Sequence, residues 1–319
     1  MVDVTPSHDE GPQLPTQLET VIPLAERGDF PRAVDLLREA LDEHLTARQR
    51  LATSSLLGAV LRAQGDFVSS VRELRIALAI SAREYGPDSM VYADTANNLG
   101  VSLKALACYG EADYLYEKAR AIIHAQGTVG TDIHATLLHN IAGLAHARGA
   151  AAEGVDTARE AVGIRERLHG ADDLRVAADL ANLGGLLFDV AQFDEAEACF
   201  NRALHIFRSQ LGSEHAEVAV NLNNLAALAE ERGSFDEAEE LYDQAIRIKN
   251  SYWGPEHPET LLSRYNRAHL LFTLGRLIDA ASECEAVVAA LSQTVNTDHP
   301  TLKRAKLLMN QVKVEHDSR

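Results

Sequence analysis

The stretch VNLNNLAALAEERGSFDEAEELYDQAIRI, from Val220 to Ile248, contains the pattern that decides the fold. It predicts two helices joined by the Gly-Ser-Phe-Asp turn at residues 233–236. Gly233 suits the left-handed backbone conformation that commonly ends a helix. Asn223 and Asn224 interrupt the first helix, although an asparagine inside a helix costs about 0.7 kcal/mol relative to alanine. This pair of residues therefore needs an explanation.

The turn recurs along the chain at one constant spacing, the interval from Gly233 to Gly275. Its positions are Gly275, Gly233, Ala191, Gly149, Ala107 and Gly65, and a slightly shorter step reaches Gly28. A second set of loops, at Gly170, Gly212, Gly254 and Asn296, keeps the same period. Each unit is therefore predicted to be an antiparallel helix pair. The predicted pairs cover residues 16–43, 45–84, 90–125, 133–168, 175–210, 216–252 and 258–292, followed by a closing helix at 300–314.

Residues 16–315 are predicted to form a single all-α solenoid domain, preceded by a disordered segment at 1–15 and followed by a loose tail at 316–319. Proline at the start of a helix loses no hydrogen bond, which explains Pro31, Pro258 and Pro300. Three histidines, His215, His257 and His299, recur in the loops before first helices and are interpreted as helix-start residues rather than metal ligands. Asp194 and Asp236 are predicted to cap second helices.

The composition of the chain indicates which classes of partner and which cellular compartment to expect. The formal net charge of −17 disfavours nucleic acid and anionic membranes, since both are themselves negatively charged. No apolar run approaches the roughly 20 residues that span a bilayer, and the first residues lack the features of a signal peptide. The three cysteines show neither disulfide nor metal-ligand spacing. We therefore expect a cytoplasmic protein, monomeric or homodimeric, without metal or cofactor.

A pattern of small and aromatic residues recurs within each unit. Its positions in the quoted stretch are Leu225, Ala226, Gly233, Ala238, Tyr242 and Ala245, and equivalent residues occur from Leu183 to Ala203 and from Leu99 to Ala119. The pattern resembles the tetratricopeptide repeat, and its 42-residue period resembles the repeats of kinesin light chains. The resemblance implies a right-handed superhelical solenoid, whose first helices line a concave groove that binds partners.

A column of asparagines explains the residues inside the first helix. Five of the 12 asparagines lie at one repeat position: Asn98, Asn140, Asn182, Asn224 and Asn266. Packed helices lie about 8–10 Å apart and an extended peptide advances about 3.3 Å per residue, so every third peptide bond would meet an amide. The resemblance implies that these amides hold a peptide backbone, as the matching residues do in kinesin light chains. Alternatively, each asparagine bonds the neighbouring helix and sets the register of the repeats.

The positions beside the asparagines are predicted to select partner side chains. The selecting residues are Asn97, His139, Asn223, Tyr265 and His269. Gly143 and Gly185 remove side chains at the centre of the predicted groove, and with Phe188 they predict a pocket. The same glycines are equally explained by a tight helix crossing. Arg267 occupies a leucine position and is predicted to pair with a glutamate such as Glu259 or Glu283, or to anchor a partner carboxylate.

These observations favour a non-enzymatic scaffold that binds an extended peptide or a partner segment in its groove. The alternative is a small-molecule or catalytic site in the glycine-lined pocket, with His139, His146 and Asp179 as the candidate catalytic residues. No phosphate-binding loop, dinucleotide fingerprint or nucleophile motif occurs in the sequence, which makes an enzyme the less favoured interpretation.

Overall fold

The computed structural model describes residues 14–15, 18–295, 297 and 299–317. These residues form fifteen α-helices and no strand, so the predicted all-α solenoid is confirmed. Residues 1–13, most of the segment predicted to be disordered, lie outside the described residues, as do residues 318 and 319 of the predicted tail. The chain divides into two compact units, with the division after Leu144.

The first unit contains six whole helices and most of a seventh. They are α1 (Val21–Glu26), α2 (Phe30–Asp42), α3 (Ala47–Gln64), α4 (Phe67–Tyr85), α5 (Met90–Ala105), α6 (Tyr109–Ala125) and α7 (Asp132–Ala147), of which the last three residues belong to the second unit. From α3 onward the odd-numbered helices are the first helices of repeats and the even-numbered helices are the second helices.

The second unit continues the same alternation of first and second helices. Its helices are α8 (Ala151–His169), α9 (Leu174–Asp189), α10 (Phe193–Leu211), α11 (Ala216–Glu231), α12 (Phe235–Tyr252), α13 (Pro258–Thr273), α14 (Leu277–Thr294) and α15 (Pro300–Asp317). The final helix α15 packs against α13 and α14 and exposes the basic residues Lys303, Arg304 and Lys306.

Helix starts follow local chemistry at most predicted positions. Pro258 is in the first turn of α13, and His215 and His257 are the N-caps of α11 and α13. Each histidine accepts a hydrogen bond at Nδ1 from the backbone N–H two residues later, at 3.2 Å, which confirms their predicted role. The predicted caps Asp194 and Asp236 are wrong by two residues. They lie in the first turns of α10 and α12, whose N-caps are Gln192 and Ser234, and there they face the positive end of the helix dipole.

The repeated turn requires a left-handed residue. Gly65, Gly149, Gly233 and Gly275 adopt positive φ there, and so do Ala107 (φ 61°) and Ala191 (φ 60°). A left-handed conformation costs a residue with a Cβ roughly 1–2 kcal/mol, whereas glycine adopts it freely. The two alanines therefore carry backbone strain that the other repeats avoid.

Small residues let the ring of the second helix lie directly on the first. A Cβ added to Gly100 would lie 2.4 Å from the Tyr116 ring, and one added to Gly184 would lie 2.6 Å from the Phe200 ring. Tyr116 and Phe200 are each 1% exposed. Because a real Cβ does not approach a ring so closely, these glycines determine how near the two helices of a repeat come.

Two cations are buried at one position of the second helices. Arg165 and Lys249 lie two repeats apart, at the position where other repeats have Ile123, Phe207 and Leu291. The Lys249 ammonium donates to the Glu259 backbone oxygen at 3.1 Å and lies 3.5 Å from its carboxylate. Burial lowers the pKa of Lys249, although Glu259 partly offsets that effect.

Replacing a strained alanine at the turn should stabilise the protein. We expect Ala191→Gly to raise the free energy of unfolding by about 1 kcal/mol, because the left-handed conformation no longer clashes with a Cβ. Urea denaturation measures the change. The control Ala198→Gly, at an exposed helical position of α10, should instead lower it by about 1 kcal/mol. A loss of stability in both variants would contradict the strain at Ala191.

Two adjacent glycines of α9 should respond oppositely to the same substitution. We expect Gly184→Ala to lower the free energy of unfolding by about 1–3 kcal/mol, because the added methyl group must displace the buried Phe200 ring. The neighbouring Gly185→Ala meets only the exposed ring of His146, at 3.2 Å, and should be neutral or stabilising by up to about 1 kcal/mol. Equal effects in thermal denaturation would show that the ring contact does not limit the packing.

Candidate functional site

The asparagine column in the first unit includes a bond between repeats. The Asn140 Nδ2 donates to the Asn97 Oδ1 at 2.9 Å, from α7 to α5, and both side chains are buried. Asn98 is half-buried, and its amide lies 3.5 Å from the Asp94 carboxylate of the same helix. Asn97 was predicted to select partner side chains, but it is 7% exposed and its amide oxygen is used inside the fold.

The second unit repeats this arrangement three repeats later. The Asn266 Nδ2 of α13 donates to the Asn223 Oδ1 of α11 at 3.2 Å, and Asn223 is 6% exposed. Like Asn97, Asn223 is therefore too deeply buried to select partner side chains as predicted. Both bonds support the alternative in which these amides set the register between neighbouring first helices. An amide has further donor and acceptor capacity, so contact of Asn140 and Asn266 with a peptide stays a prediction.

Asn224 differs from Asn140 and Asn266. The helix before it carries Ala181 at the position where Asn97 and Asn223 supply their oxygens, so no equivalent bond is available. Among the residues that the structure describes, no hydrogen bond engages the half-buried Asn224 side chain. Asn182 is also half-buried but does have a partner within the chain. The cost of an interior asparagine is thus not compensated at Asn224 by the fold itself.

The predicted glycine-lined pocket is filled at Gly185. A Cβ there would lie 3.2 Å from the His146 Cε1, so the histidine ring occupies the space. The His146 Nε2 lies 3.3 Å from the Asp189 carboxylate, and both side chains are partly exposed. The missing side chain at Gly185 therefore serves a close contact between helices. Gly143 and His139 are half-buried residues of the first unit.

Asp179 is inside the fold rather than on the predicted face. Its side chain is 2% exposed, and its carboxylate lies 3.4 Å from the Arg165 Nε, which belongs to the preceding second helix. A buried carboxylate that neutralises a buried guanidinium cannot serve as an accessible acid or base. Asp179 therefore cannot take the catalytic role that the sequence suggested for it.

The two predicted aromatic residues are partly committed to packing. The Phe188 ring lies 5.7 Å from the Phe193 ring, at the start of the next helix. Tyr265 packs against the core around α14 and α15, and the Arg304 guanidinium lies 5.4 Å from its ring centre. Both side chains remain half-buried, so each keeps a surface that a partner can contact.

A hydrogen-bonded cluster around one carboxylate, that of Glu230, joins α11, α12 and α13. The Glu230 carboxylate lies 2.8 Å from the His269 Nδ1 and accepts a hydrogen bond from the Tyr242 hydroxyl at 3.2 Å. The hydrogen bond to Glu230 raises the pKa of His269, whereas burial opposes that rise. The sequence analysis did not predict that Glu230 pairs with His269 or Tyr242. The spacing from Glu230 to His269 is close to one repeat, and that spacing is the signal that links them.

Arg267 reaches the layer of second helices. Its guanidinium lies 2.6 Å from Asp243 of α12 and 2.6 Å from Glu283 of α14. Pairing with Glu283 was among the predicted outcomes, whereas Asp243 was not anticipated. The pairs line a charged pocket of about 330 Å³ between these helices. Because both acids are already engaged, the arginine joins neighbouring repeats and does not present an open anchor.

The described residues show neither a metal centre nor a membrane span. No group of three or more His, Cys, Asp or Glu side chains in that part of the chain is arranged to hold a metal ion. No helix within the described ranges is long and apolar enough to cross a bilayer.

The ion pair at His269 should make stability depend on pH. Because the folded pKa of His269 is raised, its contribution is full below the unfolded pKa of about 6.5 and is lost as pH rises through the folded pKa. We expect His269→Gln to lower the free energy of unfolding by about 0.3–1 kcal/mol at pH 5.5 and by less at pH 9. Urea denaturation at the two pH values measures the difference.

His215 provides a control in which stability depends on pH in the opposite direction. Burial lowers the pKa of His215, whose neutral ring accepts the capping bond, so this contribution is lost as pH falls through the folded pKa. Asparagine caps a helix at either pH. The change in the free energy of unfolding caused by His215→Asn should therefore be more favourable at pH 5.5 than at pH 9. A pH-independent effect of His269→Gln would contradict the ion pair with Glu230.

Comparisons with known proteins agree with the helix pairs. The tetratricopeptide repeat model matches residues 49–123, 133–208, 175–251 and 217–293. No curated protein matches the chain. Among solved structures, BtubC (BKLC) from P. vanneervenii is 26% identical, with a TM-score of 0.51, over 74% of this chain and 92% of BtubC.

Two further structures have lower sequence identity. Repeats of a putative kinesin light chain from Podosopora anserina are 21% identical, with a TM-score of 0.48, over 61% of this chain and 95% of that one. NprR, solved in complex with its cognate peptide NprX, is 14% identical, with a TM-score of 0.65, over 95% of this chain and 84% of NprR. The predicted resemblance to repeats of the kinesin light chain type is confirmed. The chain belongs to the tetratricopeptide repeat family.

Proposed function

We propose that this chain is a protein-interaction scaffold that holds an extended peptide or partner segment against the face formed by its first helices. Tetratricopeptide repeats cover most of the chain, and such repeats are built to present long binding surfaces. NprR, which shares the fold, was solved with a peptide bound. The partner's backbone would be bound by asparagine side chains of the repeated column.

The observation that carries the proposal is the state of Asn224. Its amide is half-buried in the middle of α11, and no hydrogen bond in the described part of the chain engages it. One amide can accept from a peptide N–H and donate to a peptide C=O at the same time. The helix-interior asparagine is then explained by a partner, because the fold gives it no compensation.

Small side chains lie at the positions beside Asn224. Ala181 lies at the neighbouring position of α9, and Ala227 follows one turn after Asn224 on the same face. Small side chains at both positions permit the close approach that a backbone-to-amide hydrogen bond requires. Asn182 and Asn266, at the same position in the flanking repeats, would continue the contact over about three peptide residues each.

The catalytic alternative is not favoured by this geometry. The space at Gly185 is occupied by His146, and Asp179 is buried against Arg165. Of the three candidate catalytic residues, the carboxylate is inaccessible and His146 is paired with Asp189. Peptide binding therefore uses the observed arrangement better than an acid–base site does.

Removing the Asn224 amide should separate binding from folding. A decapeptide array screened with the purified protein supplies a binding sequence. We expect Asn224→Ala to weaken its binding by about tenfold, which corresponds to the loss of one or two hydrogen bonds. The same change should raise the free energy of unfolding by up to about 0.7 kcal/mol, because alanine is the better helix former. Fluorescence polarisation and urea denaturation measure the two effects.

Asn266→Ala is the matched control for folding. It removes the bond to Asn223, whose buried oxygen loses its donor, and should lower the free energy of unfolding by about 1–2 kcal/mol. If Asn224→Ala binds the selected peptide within twofold of the unchanged protein, the role proposed for Asn224 is wrong.

A further inference from the structure

We infer that the partner segment is basic, and that its lysine or arginine side chains bind an acidic rim formed by Asp189 and Glu231 in the second unit. This inference rests on the proposed function, because it assigns the chemistry of the segment that the asparagine face would hold. The rim comprises the last residue of α9 and the last residue of α11.

The rim lies on the same helix faces as the asparagines. Asp189 follows Asn182 by seven residues, and Glu231 follows Asn224 by seven, so each pair is two turns apart, about 10 Å, on one face. Between Asn224 and Glu231 the face carries the small side chain of Ala227. A long cationic side chain of a peptide held at the asparagines can span such a distance, because lysine and arginine extend well beyond their Cβ atoms.

The rim opposes local helix stability. The C-terminus of a helix carries a partial negative charge, so carboxylates in the last turn are unfavourable and cations are favourable. The first helices α3 and α5 follow that preference, with Arg62 and Lys104 in their last turns. In α9 and α11 the last turns contain no basic residue and end in acids instead. A placement that disfavours the helix is expected where a binding function requires it.

The fold neutralises the rim incompletely. The His146 Nε2 lies 3.3 Å from the Asp189 carboxylate, and both side chains are partly exposed. The neighbouring Glu230 does not belong to the rim, because its side chain is only 14% exposed and is bonded to His269 and Tyr242. Glu231 is exposed, and the adjacent Arg232 is directed away to Asp194 and Glu197 of α10, at 2.9 and 2.8 Å.

The arginines of α13 do not oppose a basic partner either. Arg264 and Arg267 form ion pairs with Glu283, and Arg267 also pairs with Asp243. The rim therefore keeps negative charge available to a partner. The net charge of −17 adds a long-range attraction for cationic segments.

The experiment compares labelled decapeptides of alternating Lys/Ala, Glu/Ala and Ser/Ala by fluorescence polarisation, together with the array-selected peptide. We expect the Lys/Ala peptide to bind at least about tenfold more tightly than the Glu/Ala peptide at low salt, with the difference shrinking as salt rises. The double variant Asp189→Asn, Glu231→Gln should weaken Lys/Ala binding by about fivefold and leave Ser/Ala binding unchanged. Its thermal midpoint should rise, because the helix ends lose unfavourable charges.

Glu237→Gln is the matched control. It removes one exposed carboxylate from the first turn of α12, where the helix dipole favours acids, so the thermal midpoint should fall slightly and Lys/Ala binding should be unchanged. Equal losses of binding in Glu237→Gln and Glu231→Gln would overturn the rim, because net charge alone would then explain the attraction.

The remaining outcomes separate the two proposals. If the array-selected peptide binds but Lys/Ala and Glu/Ala peptides bind equally, the basic partner is wrong and the asparagine face stands. If no peptide of any composition binds, both the proposed function and the proposed role of the rim are wrong.

Discussion

The contact on which the fold depends is the ring of a second helix lying on a residue without a bulky side chain in the first. Tyr116 on Gly100 and Phe200 on Gly184 show it most closely, and Ala226 with Tyr242 uses the same positions with one methyl group more. Because the contact recurs from repeat to repeat, each helix pair presents similar surfaces to its neighbours. Stacking then buries a continuous core in each unit, which a single helix pair could not supply.

The asparagines show how one residue type serves different ends along the stack. In two places the amide joins neighbouring first helices, and in α11 the same position has no such partner because α9 carries Ala181. A repeated residue is thus assigned its role by the residue one repeat earlier. One substitution in the preceding first helix, such as Ala181 for asparagine, is therefore enough to release an amide for binding while the repeat architecture stays the same.

Sequence periodicity predicted the helix pairs well because the spacing of small and aromatic residues is a local property of each repeat. It placed the pair 216–252, for example, where α11 and α12 are found. It did not predict that Asn97 and Asn223 are buried, because periodicity locates a helix face without showing how deeply the next helix covers it. The pairing of Asp179 with Arg165 was missed for a similar reason. The arginine belongs to the second helix of the preceding repeat, and no repeat rule connects the two positions.

The two buried cations have a consequence for how the repeats assemble. Arg165 and Lys249 occupy a position that is apolar in three other repeats and is Ser81 in a fourth, and each has its acid in the first helix that follows. If α8 were stacked one repeat out of order, on α11, Arg165 would meet Asn221 in place of Asp179 and stay buried without an opposing charge, at a cost of several kcal/mol. The pair formed by Arg165 and Asp179 therefore fixes the order of two neighbouring repeats of otherwise similar sequence. The chain distinguishes its own correct order from the misaligned stacks that repetition would otherwise permit.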